Sequence, residues 1–168
     1  MRIQIGGEII VIDPSRAPEG VDRGEIEAGA DRVLAFAEPD LDVFDAETWQ
    51  KRRPQSLLDG DDQHKPVLIW RFSAAGMVIE APDEPLLVIA DGAAELPWAR
   101  WADGAVIVVA GDMAQGANQV IAALAAARLR LATLAGVETE VGPAIDRVRP
   151  HLGPTPLQVL EPGLAIEV

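Results

Sequence analysis

The segment Ala105–Gly136 constrains this chain most. It opens with AVIVVA, a wholly apolar and largely β-branched run of the kind that forms a strand covered on both faces. Gly111-Asp112 follows, and then a proline-free stretch to Gly136. Within it Val120, Leu124, Ala127, Leu131 and Leu134 recur at i, i+4, i+7, i+11 and i+14, one stripe of an α-helix. Asp112 is placed to cap the helix, with Gln115 in capping-box register and Gly136 where a left-handed closing residue is wanted. The spacing therefore predicts a buried strand feeding one long amphipathic helix that ends at Gly136.

Turn signals organise the rest. Gly6-Gly7 between IQI and EIIVI predicts a β-hairpin, because both central residues of a tight primed turn need positive φ. Ile26, Ala30, Val33, Leu34 and Ala37 have helical spacing, broken only by Gly29 and ended by Pro39. Asp45 would cap a short helix over Ala46–Arg53, with Lys51, Arg52 and Arg53 in its last turn, where cations suit the helix dipole. Leu58–Pro66 is polar throughout and reads as an exposed loop. VLIWRF-SAAG-MVIEA is a second hairpin: Leu68, Trp70 and Phe72 share one face, as do Met77 and Ile79. Leu86–Ala90 is another buried-type strand. Pro143 suits the first turn of a short helix bearing Ile145, Val148 and Leu152. LQVL-EPG-LAIEV predicts a closing hairpin turning at Pro162-Gly163, with Ile166 and Val168 alternating beyond it. Strands clustered in hairpins imply one α+β domain over residues 1–168, a mostly antiparallel sheet with the long helix on one face.

Charge limits the partners. The formal net charge is −13, which opposes nucleic-acid binding and favours rapid encounter with a basic protein. No run reaches the length of a membrane span, and the short apolar start before Gly6-Gly7 is too brief for a signal peptide. A chain without cysteine must hold by packing alone, which suits a cytoplasmic protein.

Catalytic signatures are sparse. VVAGDMAQGANQ has the outline of a phosphate cradle but no Gly-Lys-Ser/Thr, and Asp112 puts a negative charge where phosphate belongs. Asp59, Asp61, Asp62 and His64 offer oxygens and one imidazole without calcium-loop spacing, so a solvated loop accounts for them equally. Asp40, Asp42, Asp45 and Glu47 could pair as carboxylates for acid–base work, although Asp45 already has a capping role. Ser15, Ser56 and Ser73 lie in no nucleophile elbow, and His151 sits at a helix end. No metal or cofactor is expected. Trp98-Ala99-Arg100-Trp101, stiffened by Pro97, is the strongest surface candidate, since Trp and Arg dominate binding hot spots. Its rival reading is that the indoles cover the end of the core. Trp98, Arg100 and Trp101, with the acidic Asp61 and Asp62, are the expected partner-binding residues.

Gly6-Gly7 leading into an apolar strand, Asp83-Glu84-Pro85 before a Trp-containing segment, and the ending Leu160-Glu161-Pro162-Gly163 together resemble immunity protein family 21. The likeness is carried mainly by Leu86–Val168. The resemblance implies a non-enzymatic protein that neutralises a toxin domain of a bacterial polymorphic toxin system by binding it; it assigns no binding residue. The expected function is thus a non-catalytic, acidic interaction domain. The alternatives are a small metal- or carboxylate-dependent enzyme built on Asp59–His64 or Asp40–Glu47, and an oligomeric subunit that pairs strand edges through the terminal hairpin.

Overall fold

The Gly6-Gly7 turn forms as its sequence requires, with φ of +56° and +81°. It joins β1 (Arg2–Ile5) to β2 (Glu8–Ile12) in antiparallel register. A side chain at Gly6 would also strike Val67 and Ala81, so glycine serves both the turn and a close approach. The structure is a computed structural model and describes residues 1–17, 20–52 and 66–160.

After β2 the chain departs from the helical spacing of Ile26–Ala37. Only α1 (Arg23–Glu27) is helical, capped by Asp22. Gly29 adopts φ +68°, and Arg32–Leu34 becomes β3, parallel to β2. Two 2.8 Å bonds fix that choice: the Asp31 N–H donates to the Ile9 carbonyl, and the Ile9 N–H donates to the Asp31 carboxylate. The expected helix at Ala46–Arg53 shrinks, within the described residues, to one turn in which the Trp49 N–H donates to the Asp45 carbonyl.

The larger sheet has six strands in chain order: β4 (Leu68–Ser73), β5 (Gly76–Glu80), β6 (Leu87–Asp91), β7 (Val106–Ala110), β8 (Leu131–Ala135) and β9 (Leu157–Leu160). β4 and β5 are antiparallel, as the hairpin reading predicts, and β6 also pairs antiparallel with β5. From β6 to β9 every pairing is parallel. The expectation of a mostly antiparallel sheet is corrected accordingly: the protein combines helices with mixed sheets.

The long helix is corrected too. α2 (Met113–Ala126) begins under the expected Asp112 cap, whose carboxylate accepts the Gln115 N–H, but it stops ten residues short of Gly136. Ala127 is extended. The Arg130 N–H then donates to the Ala105 carbonyl and the Gly104 N–H to the Arg128 carbonyl, drawing the chain into the sheet as β8. Leu134 therefore lies beneath α2 from a strand, and Leu131 points to the opposite face. A parallel pair needs a crossover, and α2 supplies it.

A second crossover, α3 (Glu138–Val148), leads from β8 to β9. It starts earlier than the sequence signal implies, so Pro143 lies inside the helix rather than in its first turn. Val141, Ala144 and Val148 form its buried face. β9 is the first strand of the predicted closing hairpin; Pro162-Gly163, Ile166 and Val168 lie outside the described residues.

Both faces of the large sheet are covered. Val78, Val88, Ile107, Val109 and Leu134 pack under α2 and α3 on one side. Met77, Ile79, Ile89, Val106 and Val108 pack against Ile5, Ile10 and Ile12 of the small sheet on the other. Each large side chain buried there contributes roughly 1.5–3 kcal/mol before chain entropy is subtracted. The small sheet is also tied down by Arg32, which pairs with Glu8 at 2.9 Å and donates to the Val67 carbonyl at 3.1 Å. No helix among the described residues is long and apolar enough to cross a membrane.

Candidate functional site

The helices α2 and α3 cover only part of their side of the sheet. Beyond them, toward the edge strand β4, the cover is aromatic. Strand alternation puts Trp70 and Phe72 on this face. The segment before them comes back to the same edge: the Arg71 N–H donates to the Asp42 carbonyl at 2.9 Å, and the Phe44 N–H to the Arg71 carbonyl at 2.8 Å. That bridge carries Phe44 into the centre of the cluster, with ring centroids 5.7 Å from Trp49, 5.9 Å from Trp70, 5.1 Å from Phe72 and 4.9 Å from Trp101. Trp98 stacks on Trp101 at 5.7 Å, their planes 11° apart. All four tryptophans of the chain and two of its three phenylalanines thus share one corner.

Hydrogen bonds fix the rings. The Trp98 Nε1–H donates to Gln119 Oε1 on α2 at 3.1 Å. The Trp101 Nε1–H donates to the Pro97 carbonyl at 3.0 Å. Gln119 in turn donates to the Ala94 carbonyl, so the loop before Trp98 is tied to the helix. Phe44 is buried, whereas Trp49, Trp70, Phe72, Trp98 and Trp101 are half-buried. Both readings of the Trp98–Trp101 segment hold at once: the indoles cover the core and leave part of their surface in water. Arg100, on the turn between them, is exposed.

Trp49 differs, because its Nε1–H is buried without an acceptor among the described residues. An unpaired buried donor costs about 1–3 kcal/mol. Trp49→Phe removes that cost along with some ring area, and its stability in urea is expected to stay within about 1 kcal/mol of the parent. A loss beyond about 3 kcal/mol would mean that the N–H is satisfied in solution.

Acidic side chains rim the cluster. Asp40, Asp42, Asp45 and Glu47, on the segment that bears Phe44 and Trp49, are all exposed, as are Glu95 and Asp103 on either side of the Trp98–Trp101 turn. The segment that carries the Asp40–Glu47 carboxylates thus meets the Trp98–Trp101 segment through Phe44, whose ring lies 4.9 Å from Trp101. The Asp45 carboxyl lies below the usual carboxylate range because it accepts from the Thr48 hydroxyl and from the Glu47 and Thr48 N–H groups. Its stabilising contribution is present above the ordinary carboxylate range and is lost as pH falls through the lowered value. That is the behaviour of a cap rather than of a proton donor at neutral pH.

Comparison with protein-family models, curated proteins and solved structures finds no match to this chain. The aromatic corner must be read from its own chemistry.

Other candidates are less well placed. The outline of a phosphate cradle at Gly111-Asp112 is an ordinary helix start, since Asp112 caps α2. A hollow of about 350 Å³ beside it is lined by Asp112, Met113, Ala114 and Glu140, and its acidic side chains oppose anions. Strand order runs unbroken from β4 to β9, and α2 and α3 lie on the same face. The diverging crossovers that open a ligand crevice in doubly wound sheets are therefore lacking among the described residues. Nor do those residues place three or more His, Asp or Glu side chains together as metal ligands. Asp59, Asp61, Asp62 and His64 lie outside the described residues, as does Ser56. Ser73 accepts the Ala75 N–H within the β4–β5 turn, and His151 is exposed at the end of the turn after α3.

Sequence reasoning missed Phe44, Trp49, Trp70 and Phe72 as members of the site. The alternation of Trp70 and Phe72 was visible, but the return of residues 41–49 to the β4 edge rests on main-chain pairing that no side-chain pattern announces.

Proposed function

We propose that this chain is a non-catalytic interaction domain that binds a basic protein through the aromatic corner, and that it acts in the manner of an immunity protein, holding a toxin domain inactive. The single observation that carries the reading is the gathering of four tryptophans and Phe72, all half-buried, around the buried Phe44, on segments that also bear exposed carboxylates. Half-buried, prefixed indoles are the side chains on which binding energy concentrates. A net charge of −13 adds electrostatic steering toward a positive partner. The resemblance to immunity protein family 21 supports the same class.

The test is capture from the native organism with the full chain as bait, and with the rim variant Asp42→Asn/Glu47→Gln/Glu95→Gln as control. These side chains are exposed, and their substitution is expected to leave the fold intact. One stoichiometric protein of net positive charge on the parent bait, strongly reduced on the variant, is the expected result. Equal capture on both baits, or an acidic partner, would overturn the site. A captured protein that is harmless when expressed without this chain would remove the immunity reading.

A further inference from the structure

We propose that the stacked Trp98–Trp101 pair is a receptor for an arginine side chain of the partner. The inference rests on the interaction reading above and names the chemistry its surface selects. Each indole has one polar atom, and here both are already used: Trp98 Nε1–H on Gln119 and Trp101 Nε1–H on the Pro97 carbonyl. What remains for a partner is π surface. Tryptophan offers the most attractive ring face for a cation, and it discriminates against acceptors that would seek the N–H.

Two further features favour guanidinium over ammonium. Trp101 lies between Trp98, stacked on it at 11°, and the rings of Phe44 and Phe72 at 4.9 and 5.3 Å. The ring offered to a partner is therefore chiefly Trp98, backed by Trp101 and anchored to α2 through Gln119 with little side-chain freedom left to lose. Glu95 and Asp103 are exposed on either side of the turn. A planar guanidinium can stack on a ring while its in-plane N–H groups reach carboxylates, which a lysine ammonium does less well. Arg100 works against this receptor, because its exposed charge on the same turn repels an incoming cation.

The experiment is calorimetric titration of the full chain with hexa-arginine and hexa-lysine peptides at matched ionic strength. Hexa-arginine is expected to bind about 2- to 5-fold more tightly than hexa-lysine, the range a solvent-exposed cation–π contact supplies. That preference should fall to about 1 in Trp98→Leu. Arg100→Ala, the loss of an exposed side chain, keeps the test decisive should Trp98→Leu fail to fold, and it should tighten hexa-arginine. Equal affinity for the two peptides, a preference that survives Trp98→Leu, or unchanged or weaker binding by Arg100→Ala would each overturn the receptor. Such a failure with partner capture intact would leave the interaction domain standing; loss of capture itself would remove that reading.

Discussion

Gly92→Ala is expected to lose about 3 kcal/mol of stability or more, at or beyond the upper end of ordinary overpacking. Gly92 follows β6 directly, and its N–H donates to the Ala110 carbonyl at 2.7 Å, joining the ends of two parallel strands. A Cβ there would collide with the Asp112 carbonyl oxygen and lie 2.9 Å from the Gly116 nitrogen. Both are main-chain atoms of the first turn of α2, so no side-chain rotation relieves the clash. The helix would have to lift from the sheet, taking Ala117, Val120 and Ala123 out of the core. A thermal melt should register a drop of roughly 6–12 °C for a protein of this size. Gly142→Ala is the matched control. Apart from its chain neighbours, a methyl at that helical position meets nothing within 4 Å. Because Pro143 follows, the gain in helix propensity is offset by the restriction on a residue before proline, and stability should stay within about 1 kcal/mol of the parent. Equal melting temperatures for the two variants would contradict the close approach of the β6 end to α2.

Leu134→Ala has the next largest expected effect. Leu134 is fully buried on β8, between β7 and β9 and beneath α2. Truncation leaves a cavity that interior strands cannot collapse around, so about 2–5 kcal/mol should be lost. That is a large share of the 5–15 kcal/mol that typically separates folded from unfolded chains. Urea titration measures it directly, through a lowered midpoint with unchanged slope. A loss below about 1 kcal/mol would place Leu134 at the margin of the core rather than within it.

The same leucine shows where the sequence misleads. Leu131 and Leu134 fit a helical stripe continued from Val120, and the alanines around them are good helix formers. In a strand the two leucines point to opposite faces, which normally exposes one of them to water. Here the small sheet covers one face and the helices the other, so LATLA shows no polar alternation to mark it as a strand. Reading it as helix removed a strand from the count and concealed the parallel crossovers. Helical spacing at Ile26–Ala37 failed differently, because the left-handed Gly29 and the paired bonds of Asp31 with Ile9 outweigh propensity. What was legible was local: the Gly6-Gly7 turn, the β4–β5 hairpin, AVIVVA as β7, and the Asp112 cap. Trp98 and Trp101 were legible as a candidate because they are adjacent in sequence. Phe44 and Trp49 join them only through the Arg71 bridge, a long-range main-chain contact.

The aromatic corner also makes the molecule its own optical probe. The chain contains no tyrosine, and every tryptophan sits in this one cluster. Ultraviolet emission excited at the indole band therefore originates at a single place, and the near-contact of the rings lets excitation pass among them. A ligand seated on the corner would quench or shift nearly the whole signal, while a contact made on the far side, at the small sheet, would leave the spectrum dark to it.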